Sequence, residues 1–254
     1  MNPVSDLVLV QNDGPIRIVR MNRPQKKNAL TLAMYAALVE ALNRAGEATQ
    51  VRCVVFAGAP GAFCAGNDLQ DFLDASSNAD GLAPALIAFL HALARAEKPL
   101  VAAVSGLAVG IGTTMLLHCD YVVAANDARF STPFVHLGLV PEAGSSLLGP
   151  RRMGHAHAFA LLAMGRPLDA AGALASGLVN SVVAPDQVEP EAMKAAREIA
   201  ALPAEALTAT RRLLRGSPDE AIRRIDEECA EFKRRLASPE AKAAFEAFLS
   251  RRKS

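Results

Sequence analysis

Two glycine-bearing segments carry the residues of this sequence best suited to chemistry. The first, Gly61-Ala62-Phe63-Cys64-Ala65-Gly66-Asn67-Asp68-Leu69, follows an apolar run from Val51 to Ala57. Small residues let a backbone approach a ligand closely, and the residue after a tight glycine turn can present its N–H outward. The second, Gly106-Leu107-Ala108-Val109-Gly110-Ile111-Gly112-Thr113-Thr114, joins another apolar run to a helical pattern. The amides near Ile111 then sit at a helix N-terminus, unpaired and with the positive end of the helix dipole behind them. Such amides suit an oxyanion. Alone, the first segment fits an ordinary strand-to-helix loop, and the second fits tight helix–strand packing at glycine better than a site. Neither is a P-loop, since no Lys-Ser/Thr follows at the required spacing, and neither is G-x-G-x-x-G.

The elements that must position these segments read as an α/β core. Leu7 to Val10 and Ile16 to Met21, joined by Asn12, Asp13 and Gly14, predict a hairpin. Leu32, Tyr35, Leu38, Val39 and Leu42 recur at helical spacing behind Thr31 as N-cap. Val51–Ala57, Val101–Val104 and Tyr121–Ala125 predict strands, and Leu82, Leu86, Phe89, Leu90 and Leu93 predict a helix. A short helix is expected over Ile111–Leu117, an irregular or partly extended stretch over Phe130–Leu139, and a further helix opening near Glu142. Strands alternating with helices argue for crossover connections. Beyond about Glu189 strand signal is almost absent. There Ile222, Ile225, Cys229, Phe232 and Leu236 follow a 3,4,3,4 spacing, with Arg223, Arg224, Glu228 and Lys233 on the other faces, and Phe245, Phe248 and Leu249 mark a last helix. The division expected is residues 1–195 as the α/β core and 196–254 as a helical region, which is either a cap on its own core or an oligomerisation layer.

Composition narrows the function. The 254 residues are 51% hydrophobic and 21% charged, with a formal net charge of +1. A substantial core follows, and no strong field favours nucleic acid or an anionic membrane. With no Trp and two Tyr, stacking platforms for single strands are lacking. Leu100 to Leu117 is uncharged over 18 residues, but its glycines and hydroxyls fit a buried strand, a turn and a buried helix better than a membrane span. Met1 to Asp6 lacks the features of a signal peptide. Cys53, Cys64, Cys119 and Cys229 match no zinc spacing and read as buried reduced thiols of a cytoplasmic protein. No cluster has metal-ligand spacing.

The two segments lie about 45 residues apart, each after an apolar strand. Together they resemble the signature of the crotonase superfamily, the enoyl-CoA hydratase/isomerase family. Asn22-Arg23-Pro24 with Asn28-Ala29-Leu30 resembles that family's N-terminal coenzyme A segment. His118-Cys119-Asp120 resembles the Cys-Asp pair closing its oxyanion helix. Phe130-Ser131-Thr132-Pro133 and Leu137-Gly138-Leu139-Val140-Pro141 resemble its active-site wall. The resemblance spans about Leu7 to Val183 and continues weakly beyond. It implies a spiral of ββα units with a helical C-terminal region, assembled as a homotrimer or a dimer of trimers. It implies an acyl-CoA thioester substrate with no separate cofactor, coenzyme A being part of the substrate. The oxyanion donors would be the N–H groups of Asn67 and Ile111. Lys27, Ala29, Ala65, Asp68 and Leu69 would follow the coenzyme A arm, with Gly110, Thr114 and Phe134 nearer the acyl group. The last helix near Phe248 would reach a neighbouring subunit's ligand.

An oxyanion hole moves no proton, so a base decides the reaction. Hydratases of this family use two glutamates, and the matching positions here are Thr114 and Phe134, neither of which can ionise a water. Glu142, in Val140-Pro141-Glu142-Ala143-Gly144, matches the glutamate of Δ3,Δ2-enoyl-CoA isomerases. A Pro-Glu pair at a helix start is also ordinary, because acids are favoured in a first turn. A helix start favours the ionised form and an apolar pocket opposes it. With an ordinary value of about 4.3, Glu142 is expected to be a ready base at neutral pH. Asp68 falls towards coenzyme A, His136 is a candidate pocket residue, His155 and His157 fit surface roles, and Asp120 fits a structural one. The expectation is a double-bond isomerase. The alternatives are a hydratase or another crotonase-type reaction such as thioester hydrolysis, and a non-catalytic acyl-CoA binding protein.

Overall fold

A computed structural model describes residues 6–68 and 84–251, with side chains through residue 247. Leu69 and Leu82 lie outside the described residues, as do the side chains of Phe248 and Leu249. The expected hairpin forms from β1 (Val8–Asp13) and β2 (Ile16–Met21). Then β3 (Cys53–Gly58), β4 (Leu100–Val104), β6 (Tyr121–Ala125) and β9 (Ser181–Val183) join it in parallel, giving one six-stranded sheet ordered β1-β2-β3-β4-β6-β9. A second, three-stranded sheet consists of β5 (Leu107–Val109), β7 (Arg129–Ser131) and β8 (Leu168–Asp169), ordered β5-β7-β8. The chain leaves β4 for β5 and β6 for β7, so each unit places one strand in each sheet before its helix. This is the expected ββα spiral, and the long parallel strands are covered on both faces, which is why they read as continuous apolar runs.

Helix α1 (Leu32–Glu47) begins as expected, with the Thr31 hydroxyl accepting the Met34 N–H. It buries Met34, Tyr35, Leu38 and Leu42 against α2 (Pro84–Arg95), whose Leu86, Phe89, Leu90 and Leu93 face inward. The uncharged run Leu100–Leu117 is divided among β4, β5, the short helix α3 (Ile111–Thr114) and a 3-10 turn at Met115–His118. Among the described residues no helix is long and apolar enough to cross a membrane. All four cysteines are buried free thiols.

The stretch Phe130–Leu139 is partly extended as expected, since Phe130 and Ser131 belong to β7, and a 3-10 turn covers Val135–Leu137. The helix expected near Glu142 begins later, as α4 (Ser145–Ala158). Ala143 and Gly144 adopt left-handed conformations, with φ of 62° and 67°, and right-handed helix cannot pass through them. After α5 (Ala170–Ala175), the C-terminal part is helical, with α6 (Val188–Ala201), α7 (Ala204–Arg215), α8 (Pro218–Leu236) and α9 (Pro239–Arg251). The periodic residues Ile225, Cys229, Phe232 and Leu236 of α8 are buried as the spacing predicts. Glu228 departs from expectation, since it is buried with them.

The helical region is tied to the core through α7. Arg211, 8% exposed, donates its Nε to both Asp120 oxygens and one Nη to the carbonyls of Ala96 and Glu97. Asp120 also accepts the Leu100 N–H at the start of β4, which bears out its structural role. The Asp120 side chain keeps 26% exposure, so water can partly replace Arg211. Arg211→Ala is therefore expected to cost about 1–3 kcal/mol, the worth of hydrogen bonds to a charged group, read as a lowered urea midpoint with an unchanged slope. An unchanged midpoint would show that α7 docks without this pair.

Candidate active site

Backbone geometry presents the two amides. Asn67 is paired with Leu30 in an isolated parallel bridge, in which Leu30 donates to the Gly66 carbonyl and accepts from the Asp68 N–H. A parallel bridge of this kind uses the groups flanking Asn67 and turns Asn67's own N–H away from the partner. Ile111 opens α3, so its N–H has no intrahelical acceptor. Neither N–H has an acceptor among the described residues.

The two segments are in direct contact. Cys64 bridges Ala108, with the Cys64 N–H bonding the Leu107 carbonyl and the Val109 N–H bonding the Cys64 carbonyl. A Cβ on Gly112 would lie 2.6 Å from the Cys64 carbonyl oxygen, and one on Gly66 would lie 3.0 Å from that of Val109. The glycines therefore do both things the sequence left open. They permit tight packing, and that packing holds the segments that carry the Asn67 and Ile111 amides against each other.

On one side of the amides, the Lys27 carbonyl accepts the Ala65 N–H. The segment carrying Lys27 and Ala29 thus runs beside the one carrying Ala65 and Asp68. Lys27 is exposed, while Asp68 is held by Arg23 in a 2.5 Å ion pair. Buried Asn28 locks this strip, donating to the carbonyls of Ala59 and Ala62 and accepting the Arg23 N–H. On the other side, the Phe134 ring lies 3.9 Å from where a Gly110 Cβ would be, and Phe134 is buried. His136 is exposed and its ring rests against Gly165, and His155 and His157 are exposed as expected.

Glu142 is 3% exposed. Its Oε1 accepts the Thr114 hydroxyl at 2.5 Å, and its Oε2 is buried with no hydrogen-bond partner among the described residues. Burial pushes this carboxyl up to about 8, against the pull of the Thr114 bond, and nearby Glu228 pushes the same way. Glu142 therefore holds its proton more tightly than an ordinary carboxylate does. This corrects the expectation of an ordinary carboxylate. The helix start that would have favoured ionisation lies beyond the Ala143–Gly144 turn, so burial dominates.

Sequence reasoning missed three side chains here. The Tyr35 hydroxyl, from the buried face of α1, donates to the Asn67 side-chain oxygen. Neutral His118, pushed down to about 4 by burial, donates its Nε2–H to the Ala143 carbonyl. Glu228 reaches the same turn from α8. The helical spacing of Tyr35 marked it as core, and nothing local to His118 or Glu228 marks either. Each meets its partner only through the fold.

This arrangement can stabilise an oxyanion at two amides and exchange one proton with a dry carboxyl beside them. The family model for enoyl-CoA hydratase/isomerase matches residues 11–254. "Enoyl-CoA delta isomerase 2" of Rattus norvegicus is 37% identical over 250 residues, which is 96% of this chain and 64% of that protein's length. The "Probable enoyl-CoA hydratase" of Rhizobium meliloti (strain 1021) is 35% identical, over 98% of this chain and 97% of that one. The crystal structure of an enoyl-CoA hydratase/isomerase from Pseudoalteromonas atlantica T6c superposes with a TM-score of 0.90 at 41% identity, covering 96% of this chain and 97% of that chain.

Proposed function

The chain belongs to the enoyl-CoA hydratase/isomerase family of the crotonase superfamily, and on that premise we propose that it shifts a double bond in an enoyl-CoA thioester with Glu142 as the single base. The Asn67 and Ile111 amides hold the thioester oxygen. The ionised Glu142 takes a C2 proton from a 3-enoyl thioester on Oε2, and the C–H electron pair moves into a dienolate whose negative charge rests on that oxygen. The same carboxyl returns a proton at C4. The thioester carbonyl re-forms and the double bond lies between C2 and C3. The observation that carries this reading is the Glu142 carboxyl itself, buried, with one oxygen held by Thr114 and the other without a partner. Thr114 and Phe134 stand where a hydratase has its two glutamates, so neither of those positions carries an acid to hold a water.

In this reading Lys27, Ala29, Ala65, Asp68 and Leu69 follow the coenzyme A arm, no separate cofactor is used, and the working form is a homotrimer or a dimer of trimers. A base with a pKa near the working pH combines availability with proton-transfer drive. Since only the ionised form accepts a proton, kcat/KM should rise about tenfold per pH unit below about 8 and level off above it. The deciding assay supplies 3-enoyl and 2-enoyl thioesters of several chain lengths. The 3-enoyl compounds should gain the absorbance of a conjugated thioester while crotonyl-CoA keeps it. Loss of crotonyl-CoA absorbance with hydroxyacyl product, at a rate matching or exceeding isomerisation, would replace this reading with hydration. Tight binding of all of them with no turnover would leave an acyl-CoA binding protein.

A further inference from the structure

The turn that carries Glu142 is held from outside its own segment. Ala143 and Gly144 are both left-handed, and for alanine that conformation costs roughly 1–2 kcal/mol. Such strain persists where surrounding contacts over-determine it. The contacts here come from two directions. His118 donates to the Ala143 carbonyl at 2.7 Å. From α8, the Glu228 carboxylate accepts the Gly144 N–H on Oε2 at 2.6 Å, and the Ser146 N–H and hydroxyl on Oε1 at 2.9 and 2.5 Å. Helix α4 has no side-chain cap of its own, its N-cap being Gly144, so Glu228 caps it in trans at the end where a negative charge is favoured. Burial raises the Glu228 carboxyl, while the Ser146 and Gly144 donors and the Arg224 charge pull the other way; three donors and no acceptor are the partners of an ionised carboxylate.

We propose that Glu228 is a positioning residue for the reaction, holding the Ala143–Gly144 turn so that Glu142 points at Thr114 with its second oxygen towards the substrate. The inference rests on the reading of Glu142 as base. It also makes the negative charge of Glu228 part of the setting in which Glu142 holds its proton. The other ionisable groups around Glu142 are Tyr35 of α1, Cys64 after β3, His118 after α3 and Cys229 of α8. Burial raises Tyr35 and both thiols and lowers His118, so all four are neutral near pH 8. Arg224, which donates to the Ser146 hydroxyl, is the cation on the Glu228 side.

Two variants separate reach from charge. Glu228→Gln keeps the length, but places an NH2 group against the Gly144 N–H and removes the charge. Glu228→Asp keeps the charge but is one methylene too short. Both should lower kcat about tenfold or more for isomerisation with KM changed less than twofold. The pH limb should move to lower pH in Glu228→Gln alone. Wild-type kcat and limb in Glu228→Gln would overturn the proposal, and so would kcat reduced only in proportion to the folded fraction with the limb in place. If Glu228→Gln does not fold, wild-type kcat in Glu228→Asp overturns it. If Glu142→Gln still isomerises, the base reading itself is lost. An inactive Glu142→Gln beside a fully active Glu228→Gln rejects only the positioning role.

Discussion

Glu142→Gln should abolish isomerisation, with kcat lower by roughly 10³-fold, while the dissociation constant for coenzyme A thioesters stays within a few-fold. The substitution keeps the size of the side chain and its bond from Thr114, and removes only the ability to accept a proton. A second measurement on the same variant tests the burial of the group. In the folded protein the Glu142 carboxyl titrates near 8, against an ordinary value of 4.5. The folded state therefore holds the proton more tightly than the unfolded chain. The stability this contributes is fully present below about 4.5 and is lost as pH rises through about 8. Glu142→Gln has no proton to lose. It should be more stable than the wild type at pH 9, by an amount on the order of a few kcal/mol, and nearly equal to it at pH 4. Near wild-type turnover by the variant would sink the assignment of the base. Equal stability at pH 9 would show that the carboxyl is better solvated than its surroundings indicate.

Gly112→Ala should damage the amide pair itself. An added Cβ would meet the Cys64 carbonyl oxygen at 2.6 Å and the Cys64 Cβ at 2.8 Å, closer than either atom can tolerate, and backbone cannot swing aside as a long side chain does. The strain of overpacking is about 1–3 kcal/mol. The structure can relieve it only by moving α3 away from the Cys64 segment, which separates the Ile111 N–H from the Asn67 N–H. Loss of one oxyanion donor costs about 10²–10³ in kcat. The expected result is a folded protein, with a melting point lowered by several degrees, that binds coenzyme A thioesters and turns them over at least a hundredfold more slowly. Wild-type kcat would mean that the amides of the two segments do not act together. Gly46 of α1 makes a matched control, since no atom lies within 4 Å of its Cβ position and its backbone is not left-handed.

The sequence by itself determined the parts whose causes are local. Thr31 caps α1 because its hydroxyl meets an amide three residues on. The apolar runs became parallel strands because strands covered on both faces need no polar side chains. The glycines near Gly66 and Gly112 marked where backbone must approach backbone, and the paired motifs identified the family. Tertiary structure alone decided how the site behaves. Whether Glu142 is an ordinary acid or one near 8 depends on what surrounds it, and its neighbour Glu228 is 86 positions away in the chain. Glu228, three residues after Ile225 and four before Phe232, lies at the edge of the apolar stripe of α8, and only the docking of α8 on the Ala143–Gly144 turn made it a buried cap. Tyr35 read as core, and it is core, yet its hydroxyl finds Asn67 because α1 crosses the end of the first glycine segment. Backbone conformation and packing faces follow from neighbours along the chain, whereas proton affinity follows from desolvation and charge, which only the assembled fold brings together.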